Sequence, residues 1–159
     1  RLEPLHRKTV ADLRARLPAD DLQLAAALAG LTRTLLVQQK FAEAEPLARE
    51  CLTLREKRLP DDWRTFNTRS VLGSSLLGQK KYTEAEPLLL SGYEGLKGRE
   101  DKMPVNGKVR LQESLQRLVQ LYEATDQVEK AAEWKAKLVE FDATETQQET
   151  AIPPPPQKP

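Results

Sequence analysis

Apolar residues recur along most of the chain at spacings of three and four, which puts the large side chains of each run on one face of a helix. Leu24, Leu28, Leu31 and Leu35 form one such stripe, with Ala25, Ala26, Ala27 and Ala29 between them adding helix propensity. Asp20 or Asp21 precedes the stripe as an N-cap, and Pro18 blocks extension backwards. A second stripe carries Phe41, Ala44, Leu47, Ala48, Cys51, Leu52 and Leu54 and ends before Pro60. The same pairing returns as Val71, Leu72, Ser75 and Leu76 followed by Tyr82, Ala85, Leu88 and Leu89. It returns again as Leu111, Leu115, Leu118, Val119 and Tyr122 followed by Val128, Ala131, Trp134, Leu138 and Phe141. β-branched alternation is absent, so no strand is predicted.

These helix pairs are copies of one another. Glu-Pro-Leu occurs at residues 3–5, 45–47 and 86–88, and residues 40–47 align with 81–88 at an offset of 41. Residues 17–21 match 59–63 at an offset of 42, and residues 128–133 fall where 82–87 would, displaced by 46. Two anchors in the same order at one period predict a repeat array. The predicted units are residues 1–19, the second helix of a truncated repeat; 20–61 and 62–105, complete repeats; and 106–142, a C-terminal capping repeat. Residues 143–159, with the prolines at 153–156, are predicted to be a disordered or polyproline-type tail. On this reading the chain opens in mid-repeat.

Composition narrows the function classes. The chain has 159 residues, with 25 Lys plus Arg against 24 Asp plus Glu, a formal net charge of +1. That balance argues against general nucleic-acid binding. No apolar run approaches the roughly 18 residues needed to cross a bilayer, and no charged-then-apolar leader opens the chain, so a cytoplasmic location is expected. Cys51 and His6 each stand alone, leaving no disulfide and no Cys/His zinc cluster, and no metal or cofactor is expected. No grouping of nucleophile, base and oxyanion donor appears, so the chain is expected to be non-catalytic.

Leu72-Gly73, Leu76, Tyr82 and Ala85, like Leu31, Leu35, Phe41 and Ala44, stand at a spacing that resembles tetratricopeptide repeats. The longer period and the Glu-Ala-Glu-Pro-Leu motif resemble the kinesin-light-chain subtype. Residues 84–100 and 110–138 also resemble the C-terminal repeats of bacterial serine/threonine protein kinases. The resemblance implies an all-α, right-handed superhelical solenoid of antiparallel helix pairs, with about three and a half repeats and a concave groove that binds peptides. It implies a protein–protein interaction module within a larger signalling protein. Small residues are expected where paired helices meet: Thr32 against Ala44, Gly73 against Ala85 and Val119 against Ala131.

By register with the family, the inward positions of the first helices are Arg33, Asn67, Ser70, Ser74, Gln116, Arg117 and Gln120. Their amides and hydroxyls suit a peptide backbone, and the arginines suit acidic side chains. Ala29 and Val71 stand where chaperone-binding members need Lys and Asn, which disfavours that partner class. The competing reading is a spacer or self-association element with no peptide ligand, the truncated N-terminal repeat exposing an apolar face. Gly92, Gly95 and Gly98 follow no strand and are read as marks of close helix approach or a weakened helix end, not a phosphate loop. His6-Arg7-Lys8 lacks the aspartate of a kinase catalytic loop. Glu43 and Glu45, like Glu84 and Glu86, diverge at i and i+2 and are read as favourable charge near a helix N-terminus. Cys51, Trp63 and Trp134 are read as packing residues.

Overall fold

A computed structural model describes residues 2–151 and 153. Among these the chain forms seven α-helices and no strand: α1 (Leu2–Arg16), α2 (Leu22–Val37), α3 (Phe41–Arg58), α4 (Trp63–Gly78), α5 (Tyr82–Lys97), α6 (Val109–Ala124) and α7 (Val128–Thr150). Each packs on the next in chain order, giving a helical repeat solenoid. One boundary moves. Residues 143–150, predicted as tail, are the last two turns of α7. They contain no Gly or Pro, and Lys108 reaches Gln148 at 3.3 Å and Glu145 at 3.7 Å, docking those turns against the preceding connection. Of the proline run, only Pro153 lies within the described residues.

Local chemistry sets the helix ends. Asp21 and Asp62 cap α2 and α4, their carboxylates accepting from the N–H of Gln23 at 2.7 Å and of Arg64 at 2.8 Å. Three hairpins, α2–α3, α4–α5 and α6–α7, close through one turn. Gln39, Lys80 and Asp126 adopt left-handed φ of 59°, 61° and 55°. The N–H of the following residue then returns to the sixth-last carbonyl: Lys40 to Leu35, Lys81 to Leu76 and Gln127 to Tyr122, each at 2.9 Å. This Schellman geometry satisfies carbonyls that a helix end otherwise leaves open. The offset of 46 arises elsewhere, in the α5–α6 connection, which holds two 3-10 turns at Glu100–Lys102 and Val105–Gly107.

Small residues set how closely the pairs approach. Thr32, Ala44, Gly73, Ala85, Val119 and Ala131 are all buried. A Cβ on Gly92 would lie 2.8 Å from the Ser70 nitrogen and 3.0 Å from the Phe66 carbonyl, so here the backbones of α4 and α5 touch. A Cβ on Gly95 would meet the Phe66 ring at 2.0 Å. Both glycines therefore mark close approach, as read from their spacing. Trp134 packs edge-on against Tyr93 with ring centroids 4.9 Å apart, and Trp63 packs on Leu96, Met103 and Leu111.

The stack is pinched on one side. α2 packs beside α4 and α4 beside α6, whereas the odd-numbered helices approach one another less closely. Long side chains span that wider side, and the glutamates of the first two Glu-Pro-Leu motifs are the hubs. Glu3 on α1 accepts from Lys40 at 2.8 Å and Arg7 at 2.8 Å. Glu45 on α3 accepts from Lys81 at 2.9 Å, Arg49 at 2.8 Å and Gln79 at 2.7 Å. Arg7 also reaches Glu43 at 2.6 Å, and Arg49 reaches Glu84 at 3.3 Å, one repeat later. The carboxylates read as N-terminal helix charge thus also join consecutive repeats. Hydrogen bonding from Lys81, then from Arg49 and Gln79, outweighs burial and holds the Glu45 carboxyl at about 2, against an ordinary 4.5. Lys40 and then Arg7 do the same for Glu3, also to about 2. Pro46 and Pro87 follow this glutamate at exposed positions, and the i−4 carbonyls they leave free belong to exposed Ala42 and Thr83, which water reaches.

Three stability measurements check this account. Gly92→Ala should destabilise by about 1–3 kcal/mol because backbone atoms block its Cβ. Gly30→Ala should stabilise by about 0.5–1 kcal/mol, since its Cβ meets only the His6 ring at 4.0 Å; denaturant titration separates the two. Lys80→Gly should relieve the left-handed strain and gain about 0.5–1 kcal/mol in the same assay. A carboxyl depressed on folding stabilises fully above its unfolded pKa and loses that contribution as pH falls through the folded one. The Tm should therefore hold steady above the ordinary 4.5 of Glu45 and fall between 4.5 and about 2. Glu45→Gln should flatten part of that fall and cost about 1 kcal/mol at neutral pH.

Candidate functional site

The pinched side of the stack carries a cavity of about 500 Å³ framed by α2, α4 and α6, with α3 at its floor. Ala29, Arg33 and Leu36 line it from α2, and Asn67, Val71 and Ser74 from α4. Ala29 and Val71 make part of its wall apolar. Arg33, Asn67, Ser74 and Arg117, four of the residues expected at the groove, border this space. Ser70 lies beneath it, fully buried, its hydroxyl accepting from Arg117 Nη1 at 3.0 Å. Gln116 and Gln120 are exposed and border no part of the cavity. On α6 the lining stripe is Arg110, Glu113 and Arg117; Gln116 is one position off it, turned by roughly 100°, and Gln120 lies one turn beyond its last lining residue.

Four charged lining residues stood outside the expected groove set: Arg55, Arg64, Arg110 and Glu113. Arg55 comes from a second helix, where no inward ligand contact was expected, yet it follows Cys51 by four and shares its stripe. Arg110, Glu113 and Arg117 follow an i, i+3, i+7 pattern that helical spacing alone reveals.

Charge at this cavity is lopsided. Arg110 forks onto Glu113 at 2.9 and 3.0 Å, and Arg33 from α2 and Arg117 approach the same carboxylate at 3.5 and 3.8 Å. One carboxylate therefore faces three guanidiniums. Arg64 pairs with Asp62 at 3.0 Å and lies over the Trp63 ring at 5.1 Å. Arg55 is only 9% exposed and has neutral acceptors alone: Thr68 Oγ1 at 2.9 Å and the Arg64 carbonyl at 3.3 Å, with no carboxylate in ion-pair reach among the described residues. The Thr68 hydroxyl donates to that same carbonyl at 2.8 Å, which turns a lone pair toward Arg55. Asn67 Oδ1 is buried beside them with no hydrogen-bond partner. Burial pushes the Arg117 guanidinium down from its ordinary value, opposed by Glu113.

Nucleophilic chemistry finds no support here. Burial pushes the Cys51 thiol up, and Sγ donates to the Ala25 carbonyl at 3.3 Å, which keeps it a packing group. His6 sits on α1 with Nδ1 2.9 Å from Thr34 Oγ1. Among the described residues no group of three or more His, Cys, Asp and Glu is placed to hold a metal ion. No helix among them is long and apolar enough to cross a membrane.

Residues 24–62, which take in α3 and all but the first two residues of α2, match the family model described as tetratricopeptide repeat. No curated protein matches the chain. That match, with the helices packed consecutively around it, supports a tetratricopeptide-type repeat protein.

Proposed function

We propose that this chain is a non-catalytic interaction module that holds a peptide segment of a protein partner in the cavity between α2, α4 and α6. Tetratricopeptide repeats generally mediate protein–protein contacts, which supports the class. The observation that carries the reading is the cavity itself, about 500 Å³ and bordered by the first helices of three successive repeats. A wall assembled from stacked helices is already ordered, so binding there immobilises little of the receptor. Arg33, Asn67, Ser74 and Arg117 supply the polar contacts; Ser70 orients Arg117 from below. Placement within a larger signalling protein such as a serine/threonine kinase rests on the resemblance of residues 84–100 and 110–138. A cytoplasmic setting is in keeping with the free thiol of Cys51.

Self-association is a second reading, favoured by Leu2 and Leu5, which are 60% and 58% exposed on α1. Sedimentation of the protein with and without Leu2→Lys and Leu5→Lys checks it. A dimer that the pair dissolves is its expected signature.

The groove reading is tested by selecting random peptides on the immobilised protein and repeating the selection on Ser74→Trp, which fills the cavity. Enrichment is expected on the native chain and should vanish on the variant, while helical circular dichroism and melting stay unchanged. Absence of enrichment, or enrichment indifferent to Ser74→Trp, overturns the proposal.

A further inference from the structure

The cavity bears a charge pattern that the chain as a whole does not. Net charge over the 159 residues is +1, yet five arginines border this one space and a single glutamate faces it. The imbalance is built into the fold. Arg55 is held by neutral groups alone, Thr68 among them, and Arg117 rests on Ser70 with only a share of Glu113, at 3.8 Å, as counter-charge. Burying a cation with no counter-charge is costly, and hydrogen bonds to hydroxyls and carbonyls offset only part of it. An anion arriving from outside would supply the rest.

Glu113 shows what kind of anion the geometry fits. Its carboxylate reaches Arg110 on its own helix and Arg33 across the cavity, so a carboxylate already sits among these guanidiniums. Of its partners Arg117 is the farthest, at 3.8 Å but only 14% exposed, and Arg33, at 3.5 Å, is the most open, with its side chain 54% exposed. It is therefore the guanidinium most easily given up to a ligand. Asn67 offers a further unpaired acceptor in the same space, suited to the N–H of an extended peptide backbone.

We propose that the cavity takes an acidic peptide segment of a partner protein, and that Glu113 is an internal stand-in that competes with the ligand's carboxylates for Arg33. This rests on the groove reading above. The ligand places an Asp or Glu side chain against Arg33 and Arg55 while Arg110 keeps its fork on Glu113. Glu113 thus sets a threshold: it stabilises the empty cavity and weakens binding. A peptide fits better than a nucleic-acid strand because the positive charge is confined to one cavity and does not run along a face that could track a phosphate backbone.

The test starts from the peptides selected on the native chain, resynthesised with each Asp changed to Asn and each Glu to Gln. Binding is read by fluorescence anisotropy on the intact protein. Selected peptides should be rich in Asp and Glu, and the neutral versions should bind more weakly. Affinity should fall as salt rises. Arg33→Ala, an exposed change that leaves the fold intact, should weaken binding by about three- to fivefold. Glu113→Gln should tighten it by about the same factor, the opposite sign to a purely structural role. Melting curves check that both variants fold.

Peptides without acidic residues, or neutral versions that bind equally well, overturn the inference while leaving the groove reading intact. So does a Glu113→Gln variant that fails to tighten. An oligo-dT strand or a phosphatidylserine vesicle that binds more tightly than the peptides, with the same Arg33 dependence, also overturns it. Failure of the selection itself sinks the groove reading first, which keeps the two failures apart.

Discussion

The structure depends on unequal spacing across its two sides. A single helix hairpin covers only one flank of its apolar stripe, and the next hairpin must cover the other. In this chain α4 covers α3 and α6 covers α5, and among helices at like positions α2, α4 and α6 approach one another more closely than the odd-numbered ones do. The odd-numbered helices stand further apart and are joined by side chains long enough to cross the gap. Curvature and cavity follow from that difference. A polar residue on the inner side of α2, α4 or α6 is drawn toward its neighbours in adjacent repeats, and one on the outer side is drawn toward water or a distant opposite charge.

That geometry explains why charge can be left unbalanced on the inside. On the outer side Glu3 and Glu45 each meet two cations in partly wet surroundings, and these pairs are modest contributions that add through their network. On the inner side, Arg55 is buried with a hydroxyl partner and no carboxylate, and Arg117 leans on a hydroxyl while sharing Glu113 with two other guanidiniums. A fold optimised for stability alone would pair or replace them. Places where a structure departs from its own local rules are where binding sites are expected, and the departures here converge on one cavity: two under-neutralised guanidiniums and an amide oxygen without a donor.

Much of the fold was legible from the residues. Leucine stripes at helical spacing place the helices, Asp21 and Asp62 mark two starts, and the Glu-Pro-Leu repeats give the period. The tail boundary was not, because the five prolines at the end dominate the composition of residues 143–159 and mask a helix-compatible run up to Thr150. The left-handed turn at Gln39, Lys80 and Asp126 was also hidden, since none of these is the glycine that usually signals it. Of the groove residues expected from first-helix register, Arg33, Asn67, Ser74 and Arg117 border the cavity and Gln116 and Gln120 do not. Gln116 stands one step off the lining stripe of α6, and Gln120 lies a turn beyond its last lining residue. Arg55 was passed over because it belongs to a second helix, and only packing shows that its long stem carries a guanidinium through the apolar layer to the other side.

The final repeat shows what happens when the pattern must stop. Lys130 occupies the place of Glu84, and Leu90 the place of Arg49, so the outer network cannot continue in its earlier form. Glu86, the third motif glutamate, turns to Tyr122 instead, accepting from its hydroxyl at 2.9 Å, with Lys130 at 3.9 Å. Burial and then that carboxylate push the Tyr122 phenol up to about 12, so it is a donor at neutral pH. A neutral donor here does what two cations do earlier, joining α5 to the last pair without needing a further repeat to complete it. α7 then presents Val128 and Val139 outward and buries little beyond Ala131, while Trp134 leans on Tyr93 to close the apolar layer. Charge reversal at Lys130, more than any change in the leucine stripes, is what turns a repeating unit into an end.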